Sequence, residues 1–339
     1  MKKFLILFAT LAVLASCGPI GPDFESYNVA IMINEGGPQM PIDMIGFNED
    51  DLVEETKRMS TNNESQLIGT FHGLLADSYG YGYPLLSDHD GLGKIDLSRF
   101  KIEDQNFVTE LSNPVAMCVV GENLYVLNNG RDGVAANIKV YSMVDGYNII
   151  ETIPVNEGGT AMFEVGGNIY ICGKAGLEVY EYASKMLIKT IELPARPMEI
   201  AVSPNGSNII VSCKDYGISI IDYTTDRLVK NIQVPVGPKG RIIFGRKASH
   251  ILSYSGDVVY QTDITTDKYE EVYRGNSIRG IGVSPNSEYI YIADDNGATQ
   301  RVFSEGAKKQ LAEVYTSEGD YCYMFSARLI EIVKDEEDK

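Results

Sequence analysis

The chain contains no tryptophan and only three histidines, His72, His89 and His250, which stand far apart in sequence. That scarcity leaves little material for a histidine-centred active site or a His-rich metal site. Basic residues are also few. Without Lys2 and Lys3 there are 27 against 47 acidic residues, a net charge of −20. Such a balance argues against nucleic acid or an anionic lipid surface as the main partner, since both need a basic face and counterion release. Five cysteines occur, with no Cys-x-x-Cys pair. Cys118, Cys172, Cys213 and Cys322 each follow or sit within an apolar stretch and read as small buried residues rather than bridges or metal ligands. Phosphate-loop, dinucleotide and nucleophile-elbow fingerprints are absent too. The reading is therefore no enzyme, no cofactor and no bound metal.

What is present begins at the N-terminus. Lys2 and Lys3 precede an apolar run from Phe4 to Ala15, of signal-peptide length and too short to span a bilayer. The run ends at Leu14-Ala15-Ser16-Cys17. This tetrad resembles the lipobox of bacterial lipoproteins, which implies cleavage before Cys17 and lipid, including palmitate, on Cys17. Gly18 to Pro22 alternates glycine and proline in a way that disfavours helix and sheet, so residues 17–23 read as a tether. Gly18, where an aspartate would direct inner-membrane retention, points to the outer membrane, on its periplasmic or its cell-surface side. The expected organisation is a signal peptide over 1–16, a lipidated tether over 17–23, one folded body over 24–333 and a charged tail over 334–339.

The body repeats. Ile200-Ala201-Val202-Ser203-Pro204-Asn205 recurs as Ile281-Gly282-Val283-Ser284-Pro285-Asn286, 81 residues later, and Ile242 to Lys247 occupies the register between. Each copy is followed by a second apolar strand, then by a more polar hairpin. The polar hairpins start near Ile42, Lys94, Ile138, Leu177, Ile218, Val258 and Thr299, at spacings of 52, 44, 39, 41, 40 and 41 residues. Alternating apolar and polar residues place those strands half-buried. Units of about forty residues cannot bury both faces alone and must stack. The expectation is an all-β, seven-bladed β-propeller of four-stranded blades, its ring closed by the C-terminal strand. Tyr27 to Ile33 would open the first blade and Tyr321 to Phe325 would complete it. Two packed β-sandwiches, the rival, would show no such period.

The stretch from Pro114 to about Tyr315 resembles the YncE-like or YVTN seven-bladed propeller family. The resemblance is carried by the Val-Ser-Pro-Asn segments at 202–205 and 283–286 and by Ile221-Asp222-Tyr223-Thr224-Thr225-Asp226. The literal Tyr-Val-Thr-Asn signature is missing; Tyr125-Val126-Leu127-Asn128 comes nearest. Asn34-Glu35-Gly36-Gly37 is similar to a segment of propeller lipoproteins of Bacteroidota. Some of these are surface cobalamin binders that hand ligand to an outer-membrane transporter. The resemblance implies a membrane-anchored binding module with a small molecule, a transporter or another surface protein as partner.

Two groups of residues are candidates for the site. Tyr79, Tyr81 and Tyr83 alternate with glycine; they suit recognition, or pack a neighbouring blade if they form a strand. Basic residues gather in the loops expected on one face: Arg131, Lys174, Arg196, Lys214, Lys239, Arg241, Arg274 and Arg279. They form an anion-facing rim, or simply mix with Asp132, Glu157, Asp215 and Asp295 in the same loops. His89 between Asp88 and Asp90 is the one cluster that fits a propeller hydrolase or lactonase, with a polar turn as the plainer account. Asp294-Asp295-Asn296-Gly297 has a calcium-like composition but reads as a turn. A scaffold for a surface complex is the third functional class.

Overall fold

A computed structural model describes residues 24–48, 55–77, 80–203, 206, 208–295, 297–302, 310–314 and 321–332. Cys17, Tyr79 and the segments 1–23 and 333–339 lie outside the described residues, as does the side chain of Cys322. The secondary structure is antiparallel strand apart from one helical turn, Met59–Asn62. Among the described residues no helix is long and apolar enough to cross a membrane.

The strands group into separate sheets. Sheet I contains Tyr321–Ile332, Phe24–Asn34, Met44–Asn48 and Glu55–Arg58, in that spatial order. Sheet II contains Gly36–Ile42, Leu67–Ala76, Tyr81–Leu86, Lys94–Asp96 and Lys101–Asp104, with Gly91–Leu92 beside the third. Sheets III to VII each follow sequence order from the inside outward. Their first strands are Pro114–Val120, Met162–Val165, Pro197–Val202, Ile242–Phe244 and Gly280–Val283.

These sheets form a propeller-like ring because each apolar layer is shared between neighbours. Tyr125, Leu127 and Ile138 of sheet III pack on Ile169 and Ile171 of sheet IV. Equivalent layers join IV to V, V to VI and VI to VII. Tyr291 and Ala293 of sheet VII meet Met32, Ile45 and Met324 of sheet I, and further layers join I to II and II to III. Each fully buried side chain of this kind contributes roughly 1.5–3 kcal/mol, so the layers, rather than any single sheet, hold the molecule together.

The expectation of seven equivalent four-stranded blades is corrected. Sheet II is a six-stranded, uneven sheet. Its extra strand, Gly36–Ile42, comes from the first hairpin of the chain, leaves sheet I and pairs with Leu67–Ala76. The physical reason lies in Gly36, whose φ of +64° and close approach to the Gly69 carbonyl suit glycine alone. The chain turns there and crosses to the neighbouring sheet instead of continuing its own.

Candidate functional site

The first strands of most sheets face a cavity of about 510 Å³. That volume falls within the usual range for small-molecule sites, ~300–1,000 Å³. Its wall combines Thr70 to Leu75 of sheet II, Val115 to Met117 of III, Met162 and Phe163 of IV, Met198 to Ile200 of V, Arg241 before VI, and Tyr323 and Phe325 of I.

One part of this wall is aromatic. Phe71 stands edge-on to Tyr323, with centroids 4.8 Å apart, and to Phe325 at 5.9 Å. Two cations lie against these rings. Arg241 is 4.7 Å from the Tyr323 centroid and Lys239 is 4.9 Å from it. Each also has a carboxylate partner: Lys239 Nζ lies 2.8 Å from Glu35 Oε1, and Arg241 Nη1 lies 3.5 Å from Glu199 Oε1. Lys239 Nζ also donates to the Tyr323 hydroxyl at 3.3 Å. Burial pushes the Glu199 carboxyl above its ordinary value, against the pull of Arg241. The two ion pairs therefore differ. The first is short and on the rim; the second is long, and its acid is disfavoured in the charged form.

His72 completes the polar part of the wall. It sits where the pairing of Leu67–Ala76 with Tyr81–Leu86 slips between Phe71 and Gly73. A bulge of this kind re-aims a side chain. Sheets III and V slip at the corresponding place, between Pro114 and Ala116 and between Pro197 and Glu199, where Val115 and Met198 stand. All three residues line the cavity. Among the described residues the imidazole of His72 has no hydrogen-bond partner. Burial lowers its pKa; Asp88 and Glu35 oppose this, and Arg241 and Lys239 reinforce it. At neutral pH the ring is uncharged, with one donor and one acceptor.

Of the residues expected from sequence, Arg241 lies in this wall together with Lys239. The other described candidates do not line it. Tyr83 is buried between sheets II and III; its hydroxyl donates to Asp77 at 2.7 Å and accepts from Tyr147 at 3.3 Å. Tyr81 packs on the same layer beneath Lys94, whose Nζ is 4.0 Å from the ring centroid. Tyr81 and Tyr83 fall on the strand Tyr81–Leu86, and both rings pack in the layer between sheets II and III. Arg131 is turned towards sheet II, where its guanidinium donates to the Asp88 carbonyl at 3.0 Å, to the Ser87 carbonyl and to Asp90 at 2.7 Å. It fastens two sheets. Lys174 is exposed, 3.8 Å from Glu157. Arg196 donates to the Gly158 carbonyl at 3.3 Å, and Lys214 is exposed beside Asp215. Arg279 pairs with Asp295, and Arg274 with Glu271.

The His89 cluster is likewise occupied by the fold. His89 Nε2 lies 2.8 Å from the Pro38 carbonyl, Asp88 accepts from the Thr70 amide at 3.1 Å, and Asp90 accepts from the Asn113 amide. Asp294 accepts from Tyr273 and from the Asn276 amide, both at 3.2 Å. Cys118, Cys172 and Cys213 are buried and free, and burial raises the Cys118 thiol to about 12.

Sequence reasoning missed Glu35, His72, Glu199, Tyr323 and Phe325 as members of one site. A signal was available for some of them: Glu35 directly precedes Gly36–Ile42, and Glu199 and Tyr323 stand near the start of innermost strands, whereas His72 lies in the middle of Leu67–Ala76.

No family model matches the chain. Antigen Lp49 of Leptospira interrogans, serogroup Icterohaemorrhagiae, is 28% identical over 184 residues, which are 51% of this chain and 34% of that protein. The chain thus matches about a third of that relative's length. Among solved structures, a functionally unknown protein from Desulfotomaculum acetoxidans superposes with a TM-score of 0.64 at 14% identity, over 87% of this chain and 99% of the other. A chain of the mitotic checkpoint complex gives 0.60 at 11% identity over 74% and 81%, and hydrazine synthase of Kuenenia stuttgartiensis 0.54 at 14% over 71% and 80%. At such identities the likeness shows the propeller-like fold alone.

Proposed function

We propose that the chain is an extracytoplasmic binding module, held at the outer membrane by lipid on Cys17, whose propeller captures a small molecule in its central cavity. The observation that supports this reading is the cavity itself. It is walled by the innermost strands of several sheets and lined by apolar, aromatic and charged side chains together. The mixture suits a ligand site, in which apolar contact supplies affinity and a few polar groups fix orientation. The Lp49 relative and the solved structures are compatible with this reading but do not name a ligand.

Gly73 makes the test practical. It lines the cavity, and a Cβ there would meet nothing within 4 Å. Gly73→Phe should fill the space while leaving the strand pairing intact. Thermal melting is followed against a library of small molecules for the wild-type protein and this variant. A compound that raises the melting temperature of wild type and not of Gly73→Phe supports capture in the cavity. Equal shifts in both proteins, or no shift across a broad library, would overturn it. The anchor is tested separately: Cys17→Ser should move the protein from the membrane to the soluble fraction, and unchanged partition would remove that half of the reading.

A further inference from the structure

The proposal of capture in the cavity leaves the chemistry of the captured molecule open, and the wall narrows it. Resting on that reading, we infer that the cavity takes a small amphipathic organic anion: its acid group is bound by Arg241 and His72, and its apolar body lies against Met117, Met162 and Phe325.

Arg241 carries five N–H donors in a planar fork. Its hydrogen bond to Glu199, at 3.5 Å, is at the limit of such a bond, and its guanidinium face lies against the Tyr323 and Phe325 rings. The Tyr323 hydroxyl takes another donor, and the remaining donors of the fork are left for something within the cavity. A carboxylate, sulfonate or phosphate can take two of these donors at once, the geometry at which arginine binds anions best. Glu199 engages the fork through a single nitrogen, at 3.5 Å. A cationic ligand would instead meet Arg241 and Lys239 together.

His72 is the second, independent observation. The repeat places Val115 and Met198 at the corresponding bulges and an imidazole without a protein partner here. The ring nitrogens of His72 are not sealed off from the cavity, so water or a ligand can pair with them there. His72 and Arg241 line the same cavity. Met117, Met162 and Phe325 form an apolar wall for the remainder of the molecule. Methionine adapts readily to flat or irregular apolar shapes.

Two fluorescent probes that differ in the acid group provide the test: 1-anilinonaphthalene-8-sulfonate and the neutral N-phenyl-1-naphthylamine. Both are titrated into wild type, Gly73→Phe, His72→Phe and the double variant Arg241→Met/Glu199→Gln, which leaves no unpaired carboxylate behind. Wild type should bind the sulfonate at least about tenfold more tightly than the neutral probe, the worth of one charge-assisted pair. The double variant should lose about that factor for the sulfonate and keep the neutral probe within about twofold. His72→Phe, which removes a ring with no partner, should fold normally and show a smaller loss in the same direction. Equal affinity for both probes in wild type, or equal weakening of both in the variants, would overturn the assignment of an anion while leaving cavity capture standing. Probe binding that ignores Gly73→Phe would remove the cavity reading, and this inference with it.

Discussion

At the scale of single residues, His72 gives the most direct consequence. Its folded pKa is depressed from the ordinary 6.5, chiefly by burial. The folded state therefore binds its proton less readily than the unfolded chain. The stability associated with the neutral ring is complete above the unfolded value and is lost as pH falls from there through the folded one. The charges that act on the ring are Asp88 and Glu35, which favour its protonation, and Arg241 and Lys239, which oppose it. Glu199 works the other way: its raised pKa contributes stability at low pH that is lost as pH rises through its folded value. Urea unfolding of wild type and His72→Phe at pH 7.5 and 5.5 separates them. The variant should lose less stability than wild type over this interval, and identical losses would show that the imidazole is not desolvated. None of this was legible in the sequence, where His72 is one histidine in an apolar run. Its meaning comes from a one-residue slip in strand pairing, and nothing in the local pattern encodes that slip.

At the scale of the element, the outer hairpins were the most legible part of the chain. Their turns are written in local chemistry. Asp222 accepts from the Thr224 amide at 2.8 Å and its hydroxyl at 2.6 Å, and Asp263 does the same for Thr265. Each turn then ends in a residue of positive φ, Asp226 or Asp267. Such Asx turns are fixed by the residues that form them, so the Thr-Thr-Asp motif identifies them reliably. The start of two of the polar hairpins carries a less visible constraint. Gly217 has a φ of +146°, and a Cβ there would stand 2.2 Å from the Ile232 carbonyl oxygen; Gly176 is built alike, 2.4 Å from that of Ile191. Gly217→Ala should therefore cost about 2 kcal/mol or more, measured by denaturant unfolding, whereas Gly121→Ala, with positive φ but open space around it, should cost less. Equal costs would mean that the conformation, not the contact, matters. The elements that were misread are those whose pairing is non-local. Gly36–Ile42, just before the polar hairpin expected from Ile42, is a strand of its own that pairs across to sheet II.

At the scale of the whole molecule, the seam between the two ends of the chain decides the stability. Tyr321–Ile332 is the innermost strand of sheet I and pairs with Phe24–Asn34 from Phe24↔Ile332 to Asn34↔Tyr321. Tyr323 belongs to the layer joining sheets I and II, and Met324 to the layer joining VII and I. The backbone of Met324 also lies close against Gly282, where a Cβ would approach its carbonyl to 2.8 Å. One strand thus serves two interfaces and also supplies Tyr323 and Phe325 to the cavity wall. Removing it would expose a long sheet edge and open both layers. Burial of Tyr323 and Met324 alone is worth roughly 1.5–3 kcal/mol each, a large share of the stability of an ordinary folded protein, ~5–15 kcal/mol. A chain ending at residue 320 should therefore melt at a much lower temperature, over a broader transition, and lose probe binding in the cavity. Because the missing piece is a single strand, a synthetic peptide spanning Tyr321–Ile332 should restore the sharp transition when added in trans, through the same main-chain pairing by which strands are added to open sheet edges. A truncated protein that melts like the full chain would mean that the ring holds without its seam. One that melts early and is not rescued by the peptide would place the loss in misfolding during synthesis rather than in the missing strand.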